Sequence, residues 1–370
     1  MRIALLTNFV PPYRVAFYEA LTRVAGELRV FASTRMEGNR DWTPDWGSLD
    51  VVVQKTLTLH KTWREDGFSE GQEMHVPYDT FKQLRAYKPD LIISGELSAR
   101  SLQAMAYAKL TITPIVIWAT LSDRLEQNRG ALKKAARGWL LLNAQRVIVN
   151  GESGARYVKR FGVADDKIIR MPYTTNMSAL LSLSIERAER SQRELLYVGA
   201  ISPRKGVQLL IAALNSWAAA HPDIALRLTL VGNGPLRAQL QQQSSEPNLQ
   251  LRWIDHVEYD KLPTIYENQD MFVFPTLGDE WGLVVNEALA AGLPVLGSAY
   301  SQAVEELIVD GSNGWVFAPT SARDIESALD RALGVTPTEL SRMRSAARKS
   351  VEALTPENAA EKLMAELGNG

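Results

Sequence analysis

The sequence predicts an α/β protein made of two Rossmann-like halves, and three observations carry that expectation. Its 370 residues exceed the ~250–300 at which single cores stop growing. Short apolar runs closed by Gly or Pro alternate with amphipathic stretches of helical length, the signature of parallel strands joined by crossover helices. The pattern also begins twice. Residues 2–7 read as a strand feeding a loop, and residues 194–199 repeat the arrangement after a polar, then charged, linker at 173–193.

In the first half, the opening strand leads into Asn8-Phe-Val-Pro-Pro-Tyr-Arg14. Two consecutive prolines forbid helix, so this is a loop at a strand's C-terminal end, where doubly wound sheets line their crevice. Arg14 is a candidate for contacting a ligand or a phosphate, and equally for capping a helix or pairing with an acid. Residues 15–25 follow as helix and 27–32 as strand. Residues 36–75 read as an elaborated, irregular loop region with one strand near Val51. His60 and His75 lie in it without metal-ligand spacing. Residues 78–87 read as helix, and 91–94 and 114–119 as buried strands. Glu96, Arg100, Ser122, Asp123 and Glu126 follow those strands, as candidates for binding a ligand in the crevice or as ordinary loop polarity. Residues 129–146 read as a helix with Arg129, Lys133, Lys134 and Arg137 clustered early and Trp139 among its apolar positions. Such a helix suits either an anionic membrane surface or a solvated face. A strand at 146–150 and a helix at 154–161 complete the half.

The second half is more informative. Its first strand ends at Gly199, and Ala200-Ile-Ser-Pro-Arg-Lys-Gly206 leads into a helix over 207–219. A strand at 226–231 runs into Gly232-Asn-Gly-Pro. That turn lacks the third Gly and the following acid of a dinucleotide fingerprint. The most telling stretch is Gly278–Ser298, GDEWGLVVNEALAAGLPVLGS. An apolar strand ends just before it at Pro275, a helix spans Leu283–Ala291, Gly292 and Pro294 stop that helix, and a strand follows. The helix is apolar nearly all round, so it should be buried. A buried Glu287 then needs partners. Asp279 and Glu280 precede the helix, and the turn at Gly282 leaves backbone N–H groups at a helix N-terminus, an anion site. One corner thus combines an anion cradle with carboxylates able to receive hydroxyls. Glu287 pairing with an Arg to hold the fold is the alternative.

Composition narrows the class. With no cysteine there is neither a disulfide framework nor a thiolate metal site. No apolar run nears the ~20 residues that span a bilayer. The N-terminus reads as a first strand and not a signal peptide, which makes the cytosol the expected location. The first 175 residues carry 25 Lys and Arg against 18 Asp and Glu, whereas the rest carry 16 against 24. A basic half joined to an acidic half suggests one domain facing an anionic partner, with no nucleic acid expected.

The run D-E-W-G-L-V-V-N-E-A-L-A-A-G-L-P-V resembles the E-x7-E signature of retaining glycosyltransferase family 4, the "group 1" glycosyltransferases of GT-B fold. The resemblance implies two Rossmann-like domains facing across an inter-domain cleft. Residues 1–175 would hold the acceptor, residues 176–354 the nucleotide-sugar donor, and a helix in 355–370 would pack back on the first domain. Glu287 matches the second Glu of the signature and would hold ribose hydroxyls. Asp279 stands in place of the first Glu, one methylene shorter, and would reach the sugar. Lys205 matches the lysine that holds the diphosphate. Ala200 stands where the family has an Arg, leaving Arg204 to supply that charge. Gly199, Gly232, His256, Glu280, Trp281 and the N–H groups of Gly282, Leu283 and Val284 would complete the donor site. No His stands after Trp118 where many relatives have one, and the usual Gly-Gly pair is missing from the first loop.

The resemblance implies transfer of a sugar, with UDP-sugar the favoured donor, to a saccharide or lipid-linked saccharide in cell-surface polysaccharide or lipopolysaccharide synthesis. It implies retention through same-face attack assisted by the leaving phosphate. No D-x-D motif is present, and neither metal nor cofactor is expected. Three other readings share the architecture: a nucleotide-sugar 2-epimerase, a phosphorylase-like enzyme with lysine-bound pyridoxal phosphate, and a non-catalytic nucleotide-sugar-binding module. The basic first half suggests peripheral attachment to the inner face of the cytoplasmic membrane.

Overall fold

In the computed structural model the chain forms two compact units. One comprises residues 1–64, 70–176 and 354–370, the other residues 65–69 and 177–353. The structure describes residues 1–38, 44–65, 68–126, 130–187, 192–255, 257–258 and 261–368. Arg129 and His256 lie outside the described residues.

The first unit contains β1 (Arg2–Thr7), α1 (Pro12–Ala25), β2 (Glu27–Ala32), β3 (Asp50–Val53), most of β4 (Thr56–Glu65) and of β5 (Phe68–Pro77), α2 (Thr80–Tyr87), β6 (Leu91–Gly95), α3 (Ala99–Thr111), β7 (Ile115–Ala119), α4 (Ala131–Asn143), β8 (Arg146–Val149), α5 (Glu152–Lys159) and β9 (Ile168–Arg170). Seven of the strands form a parallel sheet in the order β3-β2-β1-β6-β7-β8-β9. Strand residues alternate between two apolar layers because neighbouring side chains in a strand point to opposite faces. Ala4, Leu6, Ile92, Ile117 and Val147 pack with Leu84, Met105, Leu140 and Tyr157 of the helices on one face. Ile3, Leu5, Ile93, Val116 and Ile148 pack with Phe17 and Leu21 of α1 on the other.

The second unit contains α6 (Ser178–Leu181), β10 (Gln192–Val198), α7 (Val207–Ala220), β11 (Ala225–Val231), α8 (Arg237–Gln241), β12 (Leu249–Ile254), α9 (Leu262–Tyr266), β13 (Met271–Phe274), α10 (Leu283–Ala290), β14 (Val295–Ser298), α11 (Gln302–Leu307), β15 (Gly314–Phe317), α12 (Ala322–Leu333) and α13 (Pro337–Val351). Its six parallel strands run β12-β11-β10-β13-β14-β15. Both sheets reverse their strand order once, between β1 and β6 and between β10 and β13. The crevice for a ligand opens at such a reversal, outside the C-terminal ends of the strands. The chain then ends in α14 (Pro356–Gly368), which belongs to the first unit and lays Ala359, Ala360 and Leu363 into the α1 layer.

Two expectations need correction. Residues 56–65 and 68–77 are not irregular; they form a separate two-stranded sheet. The alternation Thr56-Leu57-Thr58-Leu59 carries the two-residue period of a strand, with both leucines left exposed. Arg137 does not join the exposed basic face of α4. It is buried and bonds Glu126 and the Tyr157 hydroxyl, the latter at 2.6 Å. Lys133 and Lys134 are exposed, in company with Leu132 and Trp139.

Candidate functional site

In the second unit the candidate residues gather on the two loops at the strand reversal. The loop after β10 turns through Pro203–Lys205, and the loop after β13 runs through Asp279 to α10. The backbone binds them together. Leu277 N–H donates to the Arg204 carbonyl at 2.8 Å, and Asp279 N–H to the Tyr300 carbonyl at 3.2 Å. The side chains add to this. Lys205 Nζ donates to Asp279 Oδ2, while Arg204 reaches the Gly278 carbonyl at 3.0 Å and lies 3.9 Å from the same carboxylate. Burial opposes ionisation of Asp279, but Lys205 and Arg204 together hold its carboxyl below the usual range. Two cations thus converge on the Asp279 carboxylate at this corner.

The rest of the acidic loop is braced from beneath. Trp281 is buried and its indole N–H donates to Asn286 Oδ1 at 2.8 Å. Ser301 Oγ donates to the Trp281 carbonyl, and Gln302 Nε2 donates to the Glu280 carbonyl at 2.5 Å. The Glu280 side chain is exposed. Gly282, at φ 106°, precedes α10, and no side chain caps the helix. Its first N–H groups, at half-buried Leu283 and Val284, therefore point where an anion gains from the helix dipole.

Glu287 sits one turn further along α10. It is 4% exposed, and Tyr266 Oη donates to its carboxylate at 3.0 Å. Burial pushes the carboxyl up to about 7, against the pull of that hydrogen bond. Among the described residues Glu287 pairs with no Arg, the contact that would make it purely structural; Tyr266 is its partner. Nothing local in the sequence around Tyr266 shows that its hydroxyl reaches Glu287, 21 positions away. Gly199 and Gly232 follow β10 and β11, with Gly199 N–H bonded to the Val231 carbonyl at 3.0 Å.

The residues expected to meet an acceptor divide into two groups. Arg14, Glu96 and Arg100 lie after β1 and β6, around the strand reversal of the first sheet. Arg100 is fully buried, and its Nη groups donate to Ser33, to Asn8 at 3.2 Å and to the Gly95 carbonyl at 3.2 Å. It ties three strand ends together and offers no surface to a sugar, which corrects that expectation. Glu96 holds a left-handed backbone at φ 67° and lies 3.6 Å from Arg100. The second group lies beyond β7. Ser122 Oγ accepts from Leu125 N–H at 3.1 Å. Asp123 accepts from Ser153 at 2.6 Å and Arg156 at 3.0 Å. Glu126 is buried against Arg137, so its carboxylate braces α4 and is not presented to solvent.

Residues 184–350 match the family model described as "Glycosyl transferases group 1". Among curated proteins, a glycogen synthase of Mycobacterium tuberculosis is 27% identical over 276 residues, covering 72% of this chain and 65% of that protein. A sulfoquinovosyl transferase of Arabidopsis thaliana is 23% identical over 267 residues, covering 67% of this chain and 50% of that protein. The chain spans less than two thirds of the length of either relative. Among solved structures, the apo lipopolysaccharide outer core galactosyltransferase WaaB superposes with a TM-score of 0.75 at 13% identity, over 100% of this chain and 99% of that one. Anabaena HepE in complex with UDP gives 0.74 at 14% identity, over 100% of both. The fold is therefore that of the GT-B structures, α/β with two Rossmann-like units.

Proposed function

We propose that the chain is a retaining glycosyltransferase. It would move a sugar from a nucleotide diphosphate-sugar, held by residues 176–354, to a saccharide or lipid-linked acceptor held by residues 1–175. One observation carries this reading. At the strand reversal of the second unit, Lys205 and Arg204 converge on Asp279 beside a helix with no side-chain cap that carries buried Glu287. Departure of a nucleoside diphosphate needs fixed positive charge and aimed N–H dipoles, and that corner supplies both without requiring a metal. Glu287 would receive the ribose hydroxyls, and Asp279 the transferred sugar. The UDP held by HepE favours uridine as the base, and the relatives' names favour a place in saccharide synthesis.

The test is donor binding, followed by transfer. A thermal-shift screen of UDP-, GDP- and ADP-sugars should reveal one stabilising class. Lys205→Ala is expected to weaken that donor at least ten-fold, because it removes a charge-assisted contact and strips Asp279 of its main partner. Asp279→Asn should behave in the opposite sense toward UDP alone. It releases Lys205, so UDP binds as well or better while sugar transfer falls. Calorimetry and a transfer assay read the two effects separately, and unchanged affinity in Lys205→Ala would remove the loop from the site. Donor turnover to an epimer without acceptor would select the 2-epimerase reading, and binding with no turnover the non-catalytic module.

A peripheral contact with an anionic leaflet at the cytoplasmic face also fits this reading. On α4, Lys133 and Lys134 are exposed beside Leu132 at 87% and Trp139 at 43% exposure, the mixture that seats a helix at a lipid headgroup boundary. The chain is expected to co-sediment with anionic vesicles at low salt and not with neutral ones, and Lys133→Gln with Lys134→Gln to release it. Absence of co-sedimentation at low salt would favour a soluble acceptor.

A further inference from the structure

Arg14 has no partner that its position explains. It lies in the first turn of α1 and is 5% exposed. Its guanidinium carbon sits 3.6 Å from the centroid of the Tyr173 ring and 4.6 Å from that of Trp118. Among the described residues its guanidinium N–H groups meet neither a carboxylate nor a carbonyl. It therefore neither caps a helix nor pairs with an acid, the two structural roles its sequence position allowed.

The surroundings are also short of partners. Trp118 Nε1 is buried without an acceptor, and both polar atoms of the Asn150 side chain are buried without one. Trp118 on β7 is in register with Ile148 on β8, and Asn150 lies two residues beyond Ile148 on the same strand line. All three groups thus belong to the C-terminal edge of the first sheet, where this class of sheet takes its ligands. A cation buried without a counter-charge is unfavourable unless something compensates it. The two rings cover the flat faces of the guanidinium and stabilise its charge only in part. They leave its in-plane fork, whose geometry matches the oxygens of phosphate.

We propose that Arg14 is the anchor of a phosphoryl-binding subsite in the first unit, and that the acceptor is a phosphorylated saccharide or polyol. The word acceptor rests on the glycosyl-transfer reading; the anion site itself does not. The phosphoryl group can come from a soluble phosphomonoester or from a lipid-linked diphosphate, and both present the same oxygens to the fork. Tyr173 and Trp118 fix the guanidinium plane, so they act as positioning residues.

Inorganic phosphate is the first probe, titrated calorimetrically into the full chain against chloride at matched ionic strength. Wild type and Lys205→Ala should both bind it, and Arg14→Gln should bind at least ten-fold more weakly. A sugar phosphate should displace the phosphate from Lys205→Ala, whereas the same sugar without phosphate should not. A lipid-linked diphosphate in detergent that displaces it better than the monoester identifies the lipid source; the reverse order identifies the soluble one. Equal phosphate binding by wild type and Arg14→Gln would overturn the proposal. Displacement by UDP and not by any sugar phosphate would assign Arg14 to the donor and overturn it too. Should Arg14→Gln fail to fold, wild type decides alone: phosphate that stabilises it no more than chloride does rules the subsite out. Failure of transfer with every donor would leave a measured anion site standing, so the two readings fail separately.

Discussion

With Glu287 replaced by Gln, affinity for the nucleotide-sugar is expected to fall about ten- to a hundred-fold, and the proton released on binding to disappear. The size follows from losing one charge-assisted hydrogen bond, worth roughly 1.5–3 kcal/mol. The proton follows from burial. Burial pushes Glu287 from the ordinary carboxylate range up to about 7, so at neutral pH it is close to half protonated. Sugar hydroxyls that donate to the carboxylate favour its charged form and expel that proton on binding. Calorimetry in two buffers of different ionisation heat measures the release directly. The same shift sets a stability profile. Between pH 4.5 and about 7 the folded chain holds a proton that the unfolded chain has lost, so stability falls as pH rises through that window and levels off above it. The loss amounts to about 3 kcal/mol for a gap of this size. Urea unfolding of wild type should therefore weaken relative to Glu287→Gln across the window. A wild-type-to-variant difference that stays constant with pH would show that Glu287 is charged throughout, and would sink the argument.

The second unit was the more legible because its signals are local. Gly292 and Pro294 punctuate the chain beside the helix they end, and α10 and β14 run Leu283–Ala290 and Val295–Ser298, close to where that punctuation puts them. The pairing of Lys205 with Asp279 could not be read in the same way. It joins residues 74 positions apart, and each looks alone like an exposed loop charge. The buried arginines of the first unit show the same limit. Helical periodicity places Arg137 among basic neighbours, yet Glu126 and Tyr157, 11 and 20 positions away, draw it inward. Arg100 sits at the start of α3, a helix rich in Ala and small residues. It serves strand ends up to 92 positions distant. Tertiary partners, not local pattern, decide whether such a charge meets solvent, a ligand or another side chain.

Gly206→Ala is expected to lower stability by about 2–4 kcal/mol and to cost donor affinity as much as Lys205→Ala does. Gly206 follows Lys205, precedes α7 and has φ 67°. A Cβ there would strike the carbonyl oxygen of Pro275, the residue that leads from β13 toward Asp279. The missing side chain is what lets the loops of β10 and β13 touch, so relief of the clash must part Lys205 from Asp279. Backbone strain alone accounts for only ~1–2 kcal/mol of the cost, and Gly311→Ala isolates that share. Gly311 has φ 77°, yet a Cβ there meets nothing within 4 Å. Gly311→Ala should therefore show the strain cost with donor binding intact, and Gly206→Ala the strain, the clash and the binding loss together. Equal unfolding midpoints and equal donor affinities for the two variants would mean that the loops part without consequence. Contact between the loops would then not be what holds Lys205 in place.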